Sequence, residues 1–292
     1  MKRPTDGRPP RAIPLGACAR ANCAGTRGRR GMTYLDVLVL AAVLPIASVF
    51  LVSCMTCGSR ETANRVKCAS NLRQIGQALL LYSNENAKAY PRTTYVPGAK
   101  PVWGTGAPAT RPFDSNGPQP NDVTAALFLL LRTQEITSEI FVCPSANEER
   151  DNYGGGSNSP LNRSNFTDVK KNLSYSFTNP YPDTPAANKG YKLTNERSAE
   201  FAVAADKNPG VRGKESNVLT VKPSNNGNQM KLGNSGCHDR DGQNVLYGEG
   251  HVEFQNNPFV GVKGDNIYTS QSGQVSASPV GPEDSVLLPA DE

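Results

Sequence analysis

Arg27-Gly28-Arg29-Arg30-Gly31-Met32-Thr33-Tyr34-Leu35-Asp36, running on through the apolar residues Val37 to Val52, opens the stretch that decides the fold, and that stretch ends only at Pro91. From Met32 to Gly58 the one charged residue is Asp36. As a helix rising 1.5 Å per residue, that segment reaches roughly 40 Å, enough for a hydrocarbon core of about 30 Å. Pro45 would kink such a helix without breaking it in lipid. Beyond Gly58 the pattern changes. Cys68, Leu72, Ile75, Leu79 and Tyr82 recur at helical spacing, while Arg65, Lys67, Asn71, Arg73, Gln74 and Gln77 fall mostly elsewhere. A helix apolar all round thus becomes a helix with one apolar seam, as expected of a rod that leaves a bilayer and becomes the spine of a soluble head.

The net charge of +5 hides an asymmetry. Residues 1–31 hold eight Lys or Arg against the single acid Asp6, and the remainder is slightly acidic. Basic character confined to a leader argues against nucleic acid as a partner. Placed directly before an apolar span, it predicts a cytoplasmic N-terminus and an exported C-terminal body by the positive-inside rule. Hydrophobic residues make up only 37% of the chain, and 27 Gly and 23 Pro predict a loop-rich body. The expected organisation is a basic, disordered leader over residues 1–31, a transmembrane half-helix over 32–58, an α+β head over 59–270 and a flexible tail over 271–292.

Within the head, residues 92–120 are punctuated by Pro and Gly and read as loop. Asn121-Asp122 caps a second helix from Val123 to about Gln134. Ile140-Phe141-Val142-Cys143 reads as a short buried strand stopped by Pro144. Leu173–Thr178, Ala199–Ala205 and Val218–Val221 are further strand candidates. Asn244–Tyr247 and His251–Phe254, joined by Gly248-Glu249-Gly250, form the strongest hairpin signal.

Seven cysteines are present: Cys18, Cys23, Cys54, Cys57, Cys68, Cys143 and Cys237. Cys54-Met55-Thr56-Cys57 has no second pair or His partner at zinc spacing. Outside the cytoplasm disulfides become allowed, and a Cys68–Cys143 bridge is the preferred pairing, since each lies in a segment expected to be buried. Leu51-Val52-Ser53-Cys54 has the form of a lipoprotein signal box, with Cys54 as the lipid acceptor. That makes a lipid-anchored periplasmic protein the main alternative to a membrane-spanning one, with a plain uncleaved signal anchor as a third.

The octet Arg29 to Asp36 resembles a prepilin: basic residues, Gly31, an apolar stretch, and an acid five residues after the Gly. In that family a membrane peptidase cuts after the Gly and methylates the new N-terminus, here Met32. The acid, here Asp36, then pairs with the N-terminal amine of a neighbouring subunit. Met32 stands where the family usually has Phe, and Asp36 where it has Glu. A carboxylate in lipid is expensive and calls for a partner. Lys67 to Tyr82, the Cys143-Pro144-Ser145 element and the segment from Asn234 to Phe254 resemble the planctomycete type of prepilin-like protein with a DUF1559-like body. In the last of these, His238 precedes Glu249-Gly250, where the family has Asp-Gly. The resemblance covers roughly residues 29–270. It implies a pilin-like fold and a pseudopilin-like structural role in a filament or type II secretion-type system of the bacterial inner membrane. Its implied partners are the membrane, the prepilin peptidase and other pilin-like subunits.

The two histidines of the chain, His238 and His251, flank the C-terminal motif. With Asp239, Asp241 and Glu249 they form a candidate metal set, for a structural calcium or for the zinc of a metal-dependent periplasmic enzyme. His238, Asp241, Glu249 and His251 are the residues expected to converge. Against this, period-two alternation places His251 and Glu253 on one face of a strand and Val252 and Phe254 on the other, which makes His251 a solvent-side residue. No Ser/His/Asp arrangement or nucleotide loop is visible, and Gly154-Gly155-Gly156 lacks the strand–helix context of a phosphate loop. The expected protein is therefore structural rather than enzymatic, without a required cofactor.

Overall fold

The computed structural model describes residues 32–213 and 216–291, and within the first helix no side chain between 45 and 59. Helix α1 spans Tyr34–Glu85. The chain divides into two units, up to Ser53 and from Cys54 onward.

In the first unit Thr33 and Asp36 cap α1. The Thr33 backbone N–H and hydroxyl both donate to Asp36 Oδ2 at 2.8 Å. Over residues 34–44 the apolar side chains are exposed, Leu35, Val37, Leu38, Val39, Leu40, Val43 and Leu44 among them. Among the described residues no helix is long and apolar enough to cross a membrane. The second part of the expected span, with Cys54 and Cys57, falls on side chains outside the described ones. The leader with Gly31, Cys18 and Cys23 also lies outside the described residues.

The second unit is α+β, built on a five-stranded antiparallel sheet. Its strands are β1 (Tyr175–Thr178), β2 (Ala202–Asp206), β3 (Gln243–Tyr247), β4 (Val252–Gln255) and β5 (Leu287–Leu288), in the order β4-β3-β2-β1-β5. Both faces of the sheet are covered. On one face Tyr175, Phe177, Ala204, Leu246 and Leu288 meet the α1 seam of Cys68, Leu72, Ile75, Ala78 and Leu79, all buried. A Cβ on Gly76 would lie 2.9 Å from Leu246 Cδ1, so the missing side chain lets helix and sheet approach closely. On the other face Ala202, Ala205, Val245, Tyr247 and Leu287 pack with Val218, Ile267 and Tyr268.

Helix α2 (Val123–Thr133) is capped by Asp122, whose side chain accepts from the Ala125 N–H at 2.8 Å. Its residues from Val123 to Leu131 are all buried. Phe128 meets Phe166 edge-on at 5.2 Å, and Phe166 meets Phe141 at 5.3 Å.

Several expectations change. Ile140 to Cys143 is not a strand. Ser138–Phe141 forms a 3-10 turn, and the Ser174 N–H, just before β1, donates to the Phe141 carbonyl without a strand ladder forming. Val218–Val221 is a turn rather than a strand. The flexible tail expected over 271–292 contains β5. Leu288 pairs with Phe177 and Leu287 with Thr178, and Val286, Leu287 and Leu288 are fully buried.

Candidate metal centre

Four buried side chains from four separate parts of the head meet at one point: Cys68, Cys143, Asp206 and His238. The seam of α1 turns Cys68 inward. Asp206 ends β2, directly opposite Tyr175 of β1. Cys143 follows the 3-10 turn at Ser138–Phe141. His238 lies just before β3, in a turn where His238, Asp239 and Arg240 all take positive φ, near 57°. Non-glycine residues in that region are costly, and three in succession require surrounding structure to hold them.

One donor atom from each residue lies within 4.8 Å of every other. Cys68 Sγ donates to Asp206 Oδ1 at 3.2 Å. Cys143 Sγ is 3.6 Å from His238 Nε2, which is 3.4 Å from Asp206 Oδ2. Zinc held tetrahedrally by sulfur and nitrogen at about 2.0–2.3 Å places neighbouring ligand atoms roughly 3.3–3.8 Å apart. These three contacts, two of them to different oxygens of Asp206, fall at or close to that edge length, and the whole set lies within 4.8 Å. All four residues are at most 1% exposed, which leaves no face open to solvent.

A second layer of contacts orients the first. His238 Nδ1 bonds Glu61 Oε1 of α1 at 2.5 Å, and Ser145 Oγ donates to Glu61 Oε2 at 2.7 Å. The Asn244 backbone N–H donates to Asp206 Oδ2 at 2.6 Å. Tyr175 Oη lies 3.1 Å from Cys68 Sγ. With Nδ1 bonded to a carboxylate, Nε2 faces Cys143 Sγ, Asp206 Oδ2 and, at 3.3 Å, Asn244 Nδ2. This is the carboxylate–histidine arrangement that fixes a metal-binding imidazole.

The electrostatics are those of a buried acidic pocket. Burial opposes charge on His238, but its bonds to Asp206 and Cys143 outweigh this and raise its pKa to about 11. Burial pushes the Cys68 thiol up to about 12. The neighbouring Cys237 favours the Cys143 thiolate, yet the Cys68 bond and burial prevail, also to about 12. Both shifts run against the thiolate, the reactive form of cysteine. For Glu61 burial acts upward, but bonds from Ser145 and His238 hold its pKa below the usual value.

Two thiols, an imidazole and a carboxylate form a borderline-soft donor set suited to zinc. With four protein donors and no exposed face, the set matches a closed structural site rather than a catalytic one with a free position.

Of the metal set expected from sequence, only His238 belongs here. Asp241 lies at the surface, paired with Arg65 at 2.9 Å and Lys231 at 2.7 Å. Glu249 is exposed in the β3–β4 turn. His251 is exposed and stacks on Tyr247 at 4.6 Å, in keeping with its solvent-side position. The Gly248-Glu249-Gly250 turn carries Glu249 and His251 to the end of the hairpin opposite His238, which precedes β3. Cys68 and Cys143 are brought together as the bridge reading required, but the structure keeps both, with Cys237, as free thiols. Sequence reading missed Asp206 and Glu61. Asp206 left a signal, a charge ending the apolar run Phe201 to Ala205; Glu61 left none. No protein family, curated protein or solved structure matches this chain in comparison.

Proposed function

We propose that the chain is a structural, pilin-like subunit of the bacterial envelope. In this reading its N-terminus is cytoplasmic, its first helix crosses the inner membrane, and its head lies in the periplasm or beyond. Cleavage after Gly31 creates a methylated Met32, and Asp36 engages a neighbouring subunit. The change of character along α1 carries the reading. Over residues 34–44 the helix exposes apolar side chains on all sides with Asp36 as the only charge. From Cys68 to Leu79 one seam is buried against a small antiparallel sheet. A contiguous apolar surface of the first kind marks a membrane or a partner.

Intact-mass analysis of the membrane-extracted protein tests this. A mature N-terminus at methylated Met32 is expected. A lipidated N-terminus at Cys54 would replace the reading with a lipoprotein, and an unprocessed chain would reduce it to a signal anchor.

A further inference from the structure

We propose that Cys68, Cys143, Asp206 and His238 bind one zinc ion that clamps the α1 spine to the sheet, with Glu61 as the positioning residue that presents His238 Nε2. The inference stands apart from the filament reading, because it concerns the head alone.

The sequence separation of the four residues is the first argument. They come from α1, the segment after the 3-10 turn, the end of β2 and the turn before β3. A single ion held by them would tie α1 to the segment after the 3-10 turn and to the sheet side of the head's main core. The second argument is the closeness of their donor atoms, one from each residue within 4.8 Å of every other, with three direct contacts of 3.2–3.6 Å that engage both oxygens of Asp206. The third is the orientation of the imidazole. Glu61 Oε1 at 2.5 Å occupies Nδ1, and Glu61 is itself held by Ser145. Nε2 then faces Cys143 Sγ at 3.6 Å, Asp206 Oδ2 at 3.4 Å and Asn244 Nδ2 at 3.3 Å, and an outer carboxylate on Nδ1 is what orients a metal-binding imidazole.

On binding, the ion replaces protons at Cys68 Sγ, Cys143 Sγ and His238 Nε2, which leave to solvent. The proton on Nδ1 stays in its bond to Glu61. No electron is transferred. Cys237 is the competitor within the pocket. It is buried against Cys143 and interacts with its thiol, so an oxidant could join the two sulfurs and remove one ligand.

The test uses the full-length protein, purified in detergent under reducing conditions. Metal analysis and titration with zinc alone should give one tightly held ion per chain. Replacement by cobalt should give thiolate-to-cobalt charge-transfer absorption together with the intense visible bands of tetrahedral cobalt. Glu61→Gln should keep the fold and the cobalt spectrum while weakening zinc binding about 10–100-fold. Cys143→Ser should lose the charge-transfer intensity of one sulfur. Asp241→Asn and His251→Ala should bind zinc as the native chain does. The proposal is overturned if the native chain takes up no stoichiometric zinc, or if cobalt binds without thiolate bands. It is also overturned if Glu61→Gln leaves affinity unchanged, or if peptide mapping finds Cys143 and Cys237 joined in the protein isolated from cells without added oxidant. Should Cys143→Ser fail to fold, the native stoichiometry, the cobalt spectrum and Glu61→Gln still decide the matter.

Discussion

Asp265 shows how a single side chain can work against the fold at neutral pH. It is half-buried, accepts from the Ser285 N–H at 3.3 Å and lies near the buried Asp284. Burial first, and the charge of Asp284 second, raise its pKa from 3.8 to about 7. The folded state therefore holds this proton more tightly than the unfolded chain does. The resulting stabilisation is complete below about pH 4 and is lost as pH rises through about 7. Asp265→Asn should melt above the native protein at pH 8 and close to it at pH 4.5. Each kcal/mol recovered corresponds to about 2–4 °C. A melting difference that grows toward acid pH would refute this account. Nothing in the residues around Asp265 announced such a shift, because Asp284 is distant in sequence and reaches it only through the fold. Asp36 is the opposite case. Its place in the first turn of α1 was legible, and the bonds from Thr33 hold its carboxylate at the helix end.

Among elements, α2 was the most legible and also the most underestimated. Asn121-Asp122 ahead of an apolar run signals a capped helix, and the helix starts at Val123 as that signal requires. The same carboxylate does more than cap. Asp122 Oδ2 accepts from the Thr105 N–H at 2.8 Å, the Thr105 hydroxyl at 2.6 Å and Asn165 Nδ2 at 3.1 Å. It thereby holds the long Pro- and Gly-rich loop against the helix. Loss of a cap alone costs about 1 kcal/mol, and each buried donor left without a partner costs about 1–3 kcal/mol. Asp122→Ala should therefore destabilise the head by at least about 3 kcal/mol in denaturant unfolding, and Asp122→Asn by less. A loss near 1 kcal/mol for Asp122→Ala would mean the loop contacts contribute nothing. The β3–β4 hairpin was equally legible from alternation around a Gly-containing turn. Ile140 to Cys143 was not. An apolar run of four fits either a buried strand or a buried turn, and the pull of Phe141 into the Phe128–Phe166 cluster selects the turn.

At the scale of the molecule, the C-terminal segment corrects a reading based on composition. Ser, Pro and Gly suggest a frayed tail, yet side chains deep in the head capture its backbone. Ser176 Oγ donates to the Pro289 carbonyl at 2.6 Å, and Asn208 Nδ2 donates to the Leu287 carbonyl at 2.9 Å. Val286, Leu287 and Leu288 are fully buried. At about 1.5–3 kcal/mol for each large apolar side chain, their burial rivals the total stability of about 5–15 kcal/mol typical of a domain. A chain ending at Gly281 should therefore lose cooperative unfolding and become sensitive to protease throughout the head. A truncated chain that melted like the intact one would show the segment to be dispensable.

The sequence by itself determined what depends on near neighbours: the capped α2, the hairpin, the α1 seam from Cys68 to Leu79, and the asymmetric charge that sets the leader apart. Each follows from periodicity or from a turn a few residues long. Only the tertiary structure decided which polar groups meet. Cys68, Cys143, Asp206 and His238 are far apart along the chain, and no spacing rule connects them. They converge because the α1 seam, the end of β2 and the turn before β3 pack into one core. That packing also places Glu61 on the far nitrogen of His238, while it leaves Asp241, Glu249 and His251, the nearer candidates in sequence, at the surface.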